Sequence, residues 1–280
     1  MQPDKYSAVW VSHSSMGDFL KCPRLYYLRN VYKDPKTRRK IAVVSSAMSL
    51  GSAVHNTLEA LKEFPVEERL TRDLLADYEE NWKAVCGEKG GFKSEEEEAQ
   101  LKARGKAMIE RVIAHPGPLY QKTVRLKKAH NDMPQNFYLS EEDNIILCGL
   151  IDWIEYIEAD DSLRVIDFKT GKNEEDDNSL QLPIYILLLN ALQKRKVSGV
   201  AYWYLDKDDV PVDKTLPDLE ESRARVLEVA KKVKEAREKK AYDCPRGEGG
   251  CFACRDLEKV LRGEAKCVGV SSLNADVYLV

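Results

Sequence analysis

Two aspartates stand in apolar runs, Asp152 in GLIDWIEYI and Asp167 in LRVIDFK, and Lys169 follows the second at a spacing of two. Alternation along a strand sends Asp167 and Lys169 to one side of a sheet and Phe168 to the other, into a core. An acid and a cation then share a pocket. With Asp152 on a neighbouring strand, the carboxylates could hold Mg2+ through oxygen ligands while Lys169 orients or polarises an attacking water. Such a set suits phosphodiester hydrolysis, because a metal and a lysine together can neutralise the charge developing on a pentavalent phosphorane.

Other polar residues fall where they could join this pocket. Gly51, His55 and Glu59 step four residues apart along a helix, so His55 and Glu59 are neighbours on one face. Glu59 is read as a supporting or surface residue. Gln181 and Tyr185 repeat the same spacing on a later helix. The TGK at Thr170 to Lys172 lacks the earlier glycine and trailing Ser or Thr of a phosphate-binding loop, so it reads as a turn leaving the strand.

The elements that must carry these residues follow from apolar periodicity. Ser15 to Asp18 has the form of a helix start, with an interruption at Pro23 that leaves Cys22 at a helix junction. A helix spans Met48 to Phe64. Charged helical sequence from Val66 to Ala114 is divided by a turn at Gly87 to Glu98 and reads as a helical insertion, residues 65–118. Strand-like runs follow at Thr123 to Leu126, Asn136 to Leu139, Ile145 to Leu150, Trp153 to Ile157 and Leu163 to Phe168, expected as one meander. A helix capped near Asp176 to Ser179 and running to Lys196 leads to a strand at Val200 to Leu205. A charged helix at Leu219 to Lys239, a cysteine-rich element at 241–267 with a short helix from Asp256 to Leu261, and a tail to Val280 complete the chain. Residues 1–280 are expected to form one α/β domain.

Composition fits a soluble globular protein, with 43% hydrophobic and 32% charged residues. The formal charge of −3, from 44 basic and 47 acidic residues, gives no bulk attraction for a polyanion, so such a site must be local. Lys36 to Lys40 and Lys122 to Lys128 are basic clusters that could serve, whereas Lys231 to Lys240 reads as a solvated helix face. The N-terminus lacks a secretion signal, and the apolar stretch from Ile184 to Leu192 is too short to span a bilayer. A cytoplasmic protein with no membrane partner is expected.

Seven cysteines in such a chain suit metal ligation or burial better than a disulfide framework. Cys244, Cys251 and Cys254 share a glycine-rich loop that can fold three thiolates around one centre, and Cys22 could supply the fourth. Cys86 and Cys148 read as buried residues of a helix and a strand.

Collected in order, Gly51-x3-His55, the aspartate of GLID, Asp167-Phe168-Lys169 and Gln181-x3-Tyr185 resemble the PD-(D/E)XK nuclease superfamily, RecB-like branch. The similarity runs from Phe19-x2-Cys22-Pro23 to the C-terminal cysteines. It implies a restriction-endonuclease-like core, a central mixed β-sheet flanked by helices. By resemblance, His55, Asp152, Asp167 and the Phe168 carbonyl bind Mg2+ or Mn2+. Lys169 activates water, and Gln181 and Tyr185 steady the substrate strand or Lys169.

Relatives with an iron-sulfur cluster carry one cysteine before the nuclease core and three after it, which implies a [4Fe-4S] cluster here, with structural Zn2+ the alternative. The chain departs from them in placing Val260 where their last cysteine falls, so Cys244 or Cys267 must serve; Cys244 is preferred because it shares the loop. In those relatives the centre staples the chain ends and can close a ring around a single DNA strand. The implied activity is exonucleolytic cleavage of single-stranded DNA or DNA ends in recombination and repair. Spacer processing in CRISPR adaptation and a silent DNA-binding scaffold are the alternatives, and a separate helicase or a CRISPR integrase would be the partner.

Overall fold

Runs rich in β-branched and aromatic residues become strands, and the amphipathic stretches become helices, in a computed structural model that describes residues 4–69, 71–126 and 134–280. In chain order the strands are β1 (Val9–Val11), β2 (Lys40–Val43), β3 (Gln135–Ser140), β4 (Ile145–Gly149), β5 (Trp153–Ile157), β6 (Ser162–Lys169), β7 (Val197–Tyr204), β8 (Val212–Lys214), β9 (Lys266–Val270) and β10 (Ala275–Leu279). The helices are α1 (His13–Lys21), α2 (Pro23–Tyr26), α3 (Ser46–Glu59), α4 (Val66–Arg69), α5 (Leu74–Lys83), α6 (Glu95–Ala114), α7 (Gln181–Leu192), α8 (Leu219–Lys239) and α9 (Arg255–Leu261). Backbone contacts divide the chain into two units, one of residues 1–45, 138–148 and 224–280, the other of residues 46–137 and 149–223.

The second unit is built on a four-stranded mixed sheet ordered β5-β6-β7-β8. β5 runs antiparallel to β6 with Trp153 opposite Ile166, and β6 runs parallel to β7 with Asp167 opposite Tyr202 and Phe168 opposite Trp203. Parallel neighbours need a crossover, which α7 supplies. Trp153, Ile166, Phe168 and Trp203 on one face share a core with Val54 and Leu58 of α3, Tyr78 of α5 and Met108 of α6. The alternate residues Asp167 and Lys169 therefore belong to the other face, where Gln181 and Tyr185 of α7 meet them. From Leu182 to Leu189 every residue of α7 is buried, as expected of a helix apolar all round.

In the first unit β1 lies parallel to β4, and β10 lies parallel to β2 and antiparallel to β9. Its small core gathers Cys22, Leu25, Leu28, Ile41, Leu257 and Val260. An Arg24–Glu258 ion pair at 2.5 Å ties α2 to α9.

Several expectations are corrected. The strand runs do not form one meander: β3 and β4 join the sheet ordered β1-β4-β3, while β5 and β6 open another. Between them Leu150 to Asp152 leave strand geometry, with Leu150 65% exposed. Thr123 makes only an isolated bridge to Glu155. The first helix starts a turn early because Ser12 is the cap, in a reciprocal box with Ser15; Asp18 instead receives hydrogen bonds from Arg29 and Asn30. α7 stops at Leu192, where Gln193 turns extended, and the tail is the β9–β10 hairpin. Cys86 is exposed beyond the end of α5, and Cys148 is half-buried in β4.

Of the basic clusters, Lys232, Lys234 and Lys239 pair with glutamates one helical turn away, as a solvated face does. Lys122 and Arg125 pair with Glu158 and Glu63. Lys127 and Lys128 of that cluster lie outside the described residues, as do Leu70 of the charged helical stretch and residues 1–3. Among the described residues no helix is long and apolar enough to cross a membrane.

Candidate functional site

Asp152 is not a strand residue. It occupies the bend before β5, one residue ahead of the Trp153–Ile166 pair that ends the ladder to β6. The Phe168 amide donates to Asp152 Oδ2 at 2.9 Å, so the backbone of β6 itself fixes this carboxylate. The Phe168 ring packs into the core between Trp153 and Trp203 and stands edge-on to His55, with ring centroids 5.9 Å apart.

Asp167 is 2% exposed, and its two oxygens have different surroundings. Oδ1 accepts hydrogen bonds from Gln181 Nε2 at 2.8 Å and Tyr185 OH at 2.9 Å. Oδ2 accepts none; Lys169 Nζ lies 2.9 Å from it as an ion pair, out of hydrogen-bond alignment. Burial, reinforced by the Asp152 carboxylate and opposed by Lys169, pushes Asp167 up to about 7. Lys169 also donates to the Gln181 carbonyl, pairs with Glu175 at 3.0 Å and stands 4.8 Å from the centre of the Tyr202 ring. Burial works against its charge, but Asp167 and Glu175 outweigh burial and raise its pKa.

From α3, His55 Nδ1 reaches Asp152 Oδ2 and Glu59 Oε1, each at 3.4 Å. Burial opposes a charged imidazole here, yet the Asp152 and Glu59 carboxylates raise His55 to about 10. Gly51 lets α3 approach the end of β6, since a Cβ there would come 3.2 Å from Thr170 Oγ1. His55, Glu59 and Asp152 bring ligand atoms within 4.8 Å of one another, and Asp167 is not part of that close trio. Glu59 and Glu175 are the acids that sequence reasoning left out of the site. The first was visible as the next step of the Gly51, His55 series; the second lies in a loop with no periodicity to mark it.

A model of the PD-(D/E)XK nuclease superfamily matches residues 10–256. The chain belongs to the PD-(D/E)XK nuclease superfamily. No curated protein matched it. The matched range takes in Asp152, Asp167 and Lys169, and the mixed sheet between helices is the superfamily's restriction-endonuclease-like α/β architecture.

Nucleases of this superfamily use a divalent metal, and the donor set here fits one. Hard cations take carboxylate oxygens, and Mg2+ in octahedral geometry, with ligands at about 2.0–2.1 Å, sets adjacent ligand atoms ~3 Å apart. The 3.4 Å separations around His55 Nδ1 are close to that spacing, and the buried Oδ2 of Asp167 is an acceptor no hydrogen bond satisfies.

A second group of candidate metal ligands, four cysteines, lies within the first unit. Cys22, Cys244, Cys251 and Cys254 come together, with Sγ atoms 3.9 Å apart for Cys251–Cys254 and 3.7 Å for Cys254–Cys244. Cys267 lies exposed on β9. Zn–S bonds of about 2.3 Å give a tetrahedral edge of ~3.8 Å, which these separations match. A four-iron cluster binds each sulfur to a different iron and holds the thiolates wider. Burial raises the Cys22 and Cys254 thiols; at Cys251 burial is outweighed by the Ala253 and Cys254 amides, which lower it to about 7.

Proposed function

We propose that this chain is a Mg2+- or Mn2+-dependent deoxyribonuclease of the RecB-like branch, hydrolysing phosphodiester bonds of single-stranded DNA or DNA ends in recombination or repair. One observation carries the reading: a buried acid, Asp167, is held between Lys169, Gln181 and Tyr185 while a second acid, Asp152, is fixed to the backbone of the same strand at Phe168.

The roles follow from the contacts. Asp152, His55 and Asp167 Oδ2, the oxygen beside Lys169, would hold the ion. When bound, a divalent cation neutralises charge on the phosphate oxygens and acidifies a coordinated water. Lys169, kept charged by Asp167 and Glu175, supplies an ammonium beside the reacting phosphate and orients the attacking water. Gln181 is a positioning residue: its amide accepts from Lys169 and donates to Asp167, which keeps both side chains in one arrangement. Tyr185 stays protonated, because burial and then the nearby Asp167 carboxylate hold its pKa well above the usual tyrosine value, so it can only donate to Asp167.

The Gly51-x3-His55 and Gln181-x3-Tyr185 pairs and the four gathered cysteines support the RecB-like assignment. The sulfur separations favour a single four-thiolate ion, zinc, at the cysteine centre over [4Fe-4S]. The test is digestion of end-labelled single-stranded DNA by the purified chain, with Mn2+ or with chelator. Metal-dependent release of label from an end supports the proposal, and no cleavage by folded, Mn2+-loaded protein overturns it.

A further inference from the structure

We infer that Glu59 is a ligand of the divalent ion, completing a three-donor face with His55 Nδ1 and Asp152; this rests on the metal-dependent reading above. Glu59 follows His55 by one helical turn, which puts both side chains on the same side of α3. Its Oε1 lies 3.4 Å from His55 Nδ1, the same distance that separates Nδ1 from Asp152 Oδ2. One nitrogen thus faces one oxygen from each acid, and all three ligand atoms lie within 4.8 Å of one another.

The rest of the Glu59 side chain is held for this purpose. Lys62 Nζ donates to Glu59 Oε2 at 2.8 Å and to the Ile151 carbonyl at 3.2 Å. The ammonium therefore ties the outer oxygen of Glu59 to the main chain one residue before Asp152, and Oε1 is left to face the site. Lys62 is 19% exposed at the side chain, well withdrawn for a lysine, so it is a positioning residue and not a surface partner.

The need for another acid follows from Asp167. Its Oδ1 is committed to Gln181 and Tyr185, and its Oδ2 shares its surroundings with Lys169. It has one oxygen to give. Without Glu59, the ion would rely on that oxygen, Asp152 and His55 alone. With Glu59, two carboxylates and an imidazole converge from α3 and the bend before β5.

The experiment is Mn2+ titration of the full chain, read as loss of the free-ion magnetic resonance signal, for wild type, Glu59→Gln, Lys62→Ala and Asp152→Asn, with thermal melting to verify folding. Glu59→Gln should weaken Mn2+ binding at least tenfold, and Lys62→Ala by a smaller factor that Lys62→Arg partly restores. Wild-type affinity in folded Glu59→Gln, alongside loss of binding in Asp152→Asn, overturns the Glu59 assignment alone. Failure of folded wild type to bind Mn2+ overturns both this inference and the reading beneath it.

Discussion

The side-chain amide of Gln181 donates to Asp167 Oδ1 at 2.8 Å while its own oxygen accepts from Lys169. One planar group thus reads the charge of both partners, offering hydrogen to the acid and oxygen to the cation. Gln181→Ala should leave the fold in place and lower the cleavage rate by about 10- to 100-fold, the usual cost of losing a group that orients metal-site residues. Gln181→Glu should be worse, since it sets a second carboxylate against Asp167. Single-turnover rates for the two variants check the order.

Metal-free protein should lose stability as pH rises. Burial and the Asp152 carboxylate raise Asp167 to about 7, against Lys169 and Tyr185, so its contribution is complete below its unfolded value of about 4 and disappears through about 7. His55, raised to about 10 when Asp152 and Glu59 outweigh burial, contributes fully below about 6.5 and nothing above about 10. Thermal melting in chelator across pH 4 to 10 should decline through both windows. Asp167→Asn should flatten the lower one, and added Mn2+ should stabilise most at the alkaline end, where its ligands have lost their protons. A flat profile for wild type between pH 4 and 8 would contradict the placement of Asp167.

Gly250 is required at the cysteine centre. Its φ is +78°, and a Cβ there would come 2.8 Å from Cys254 Sγ; Gly249, at φ +85°, has nothing within 4 Å. Gly249→Ala and Gly250→Ala both impose left-handed strain of about 1–2 kcal/mol. Only Gly250→Ala should also lower bound metal, measured by elemental analysis of the purified protein.

Metal content also distinguishes the cysteines. Replacement of Cys22, Cys244, Cys251 or Cys254 by Ser should remove the bound ion, while Cys267→Ser should retain it. Near one zinc per chain and no visible absorbance is the expected content of wild type; iron with a broad visible band would contradict the single-ion reading.

Much of the site was legible because its residues sit at fixed local spacings. Asp167 and Lys169 share a sheet face by alternation, and His55 and Glu59 share a helix face by the four-residue step. The charged helix α8 begins and ends where its composition implies, at Leu219 and Lys239. What spacing could not reveal is which strands pair. Periodicity is the same for β4 and β5, yet the chain bends at Leu150 to Asp152 and sends them to different sheets, which moves Asp152 off the strand and into the bend. The ion pair from Glu175 to Lys169 depends on a loop, and the Ser12 cap on a choice between serines three residues apart. Glu59 was visible on the His55 face, but a glutamate on a helix is ordinarily solvated, and only the fold brings it into one cluster with His55 and Asp152.

The most direct test compares cleavage of end-labelled single-stranded DNA in Mn2+ by wild type, Asp152→Asn and Lys169→Ala, each verified as folded by thermal melting. Wild type should degrade the strand, and both variants should fall by at least about 100-fold, the scale of losing a group that stabilises transition-state charge. Near-native cleavage by either folded variant would contradict the assignment of this pocket as the place where the phosphodiester bond is broken.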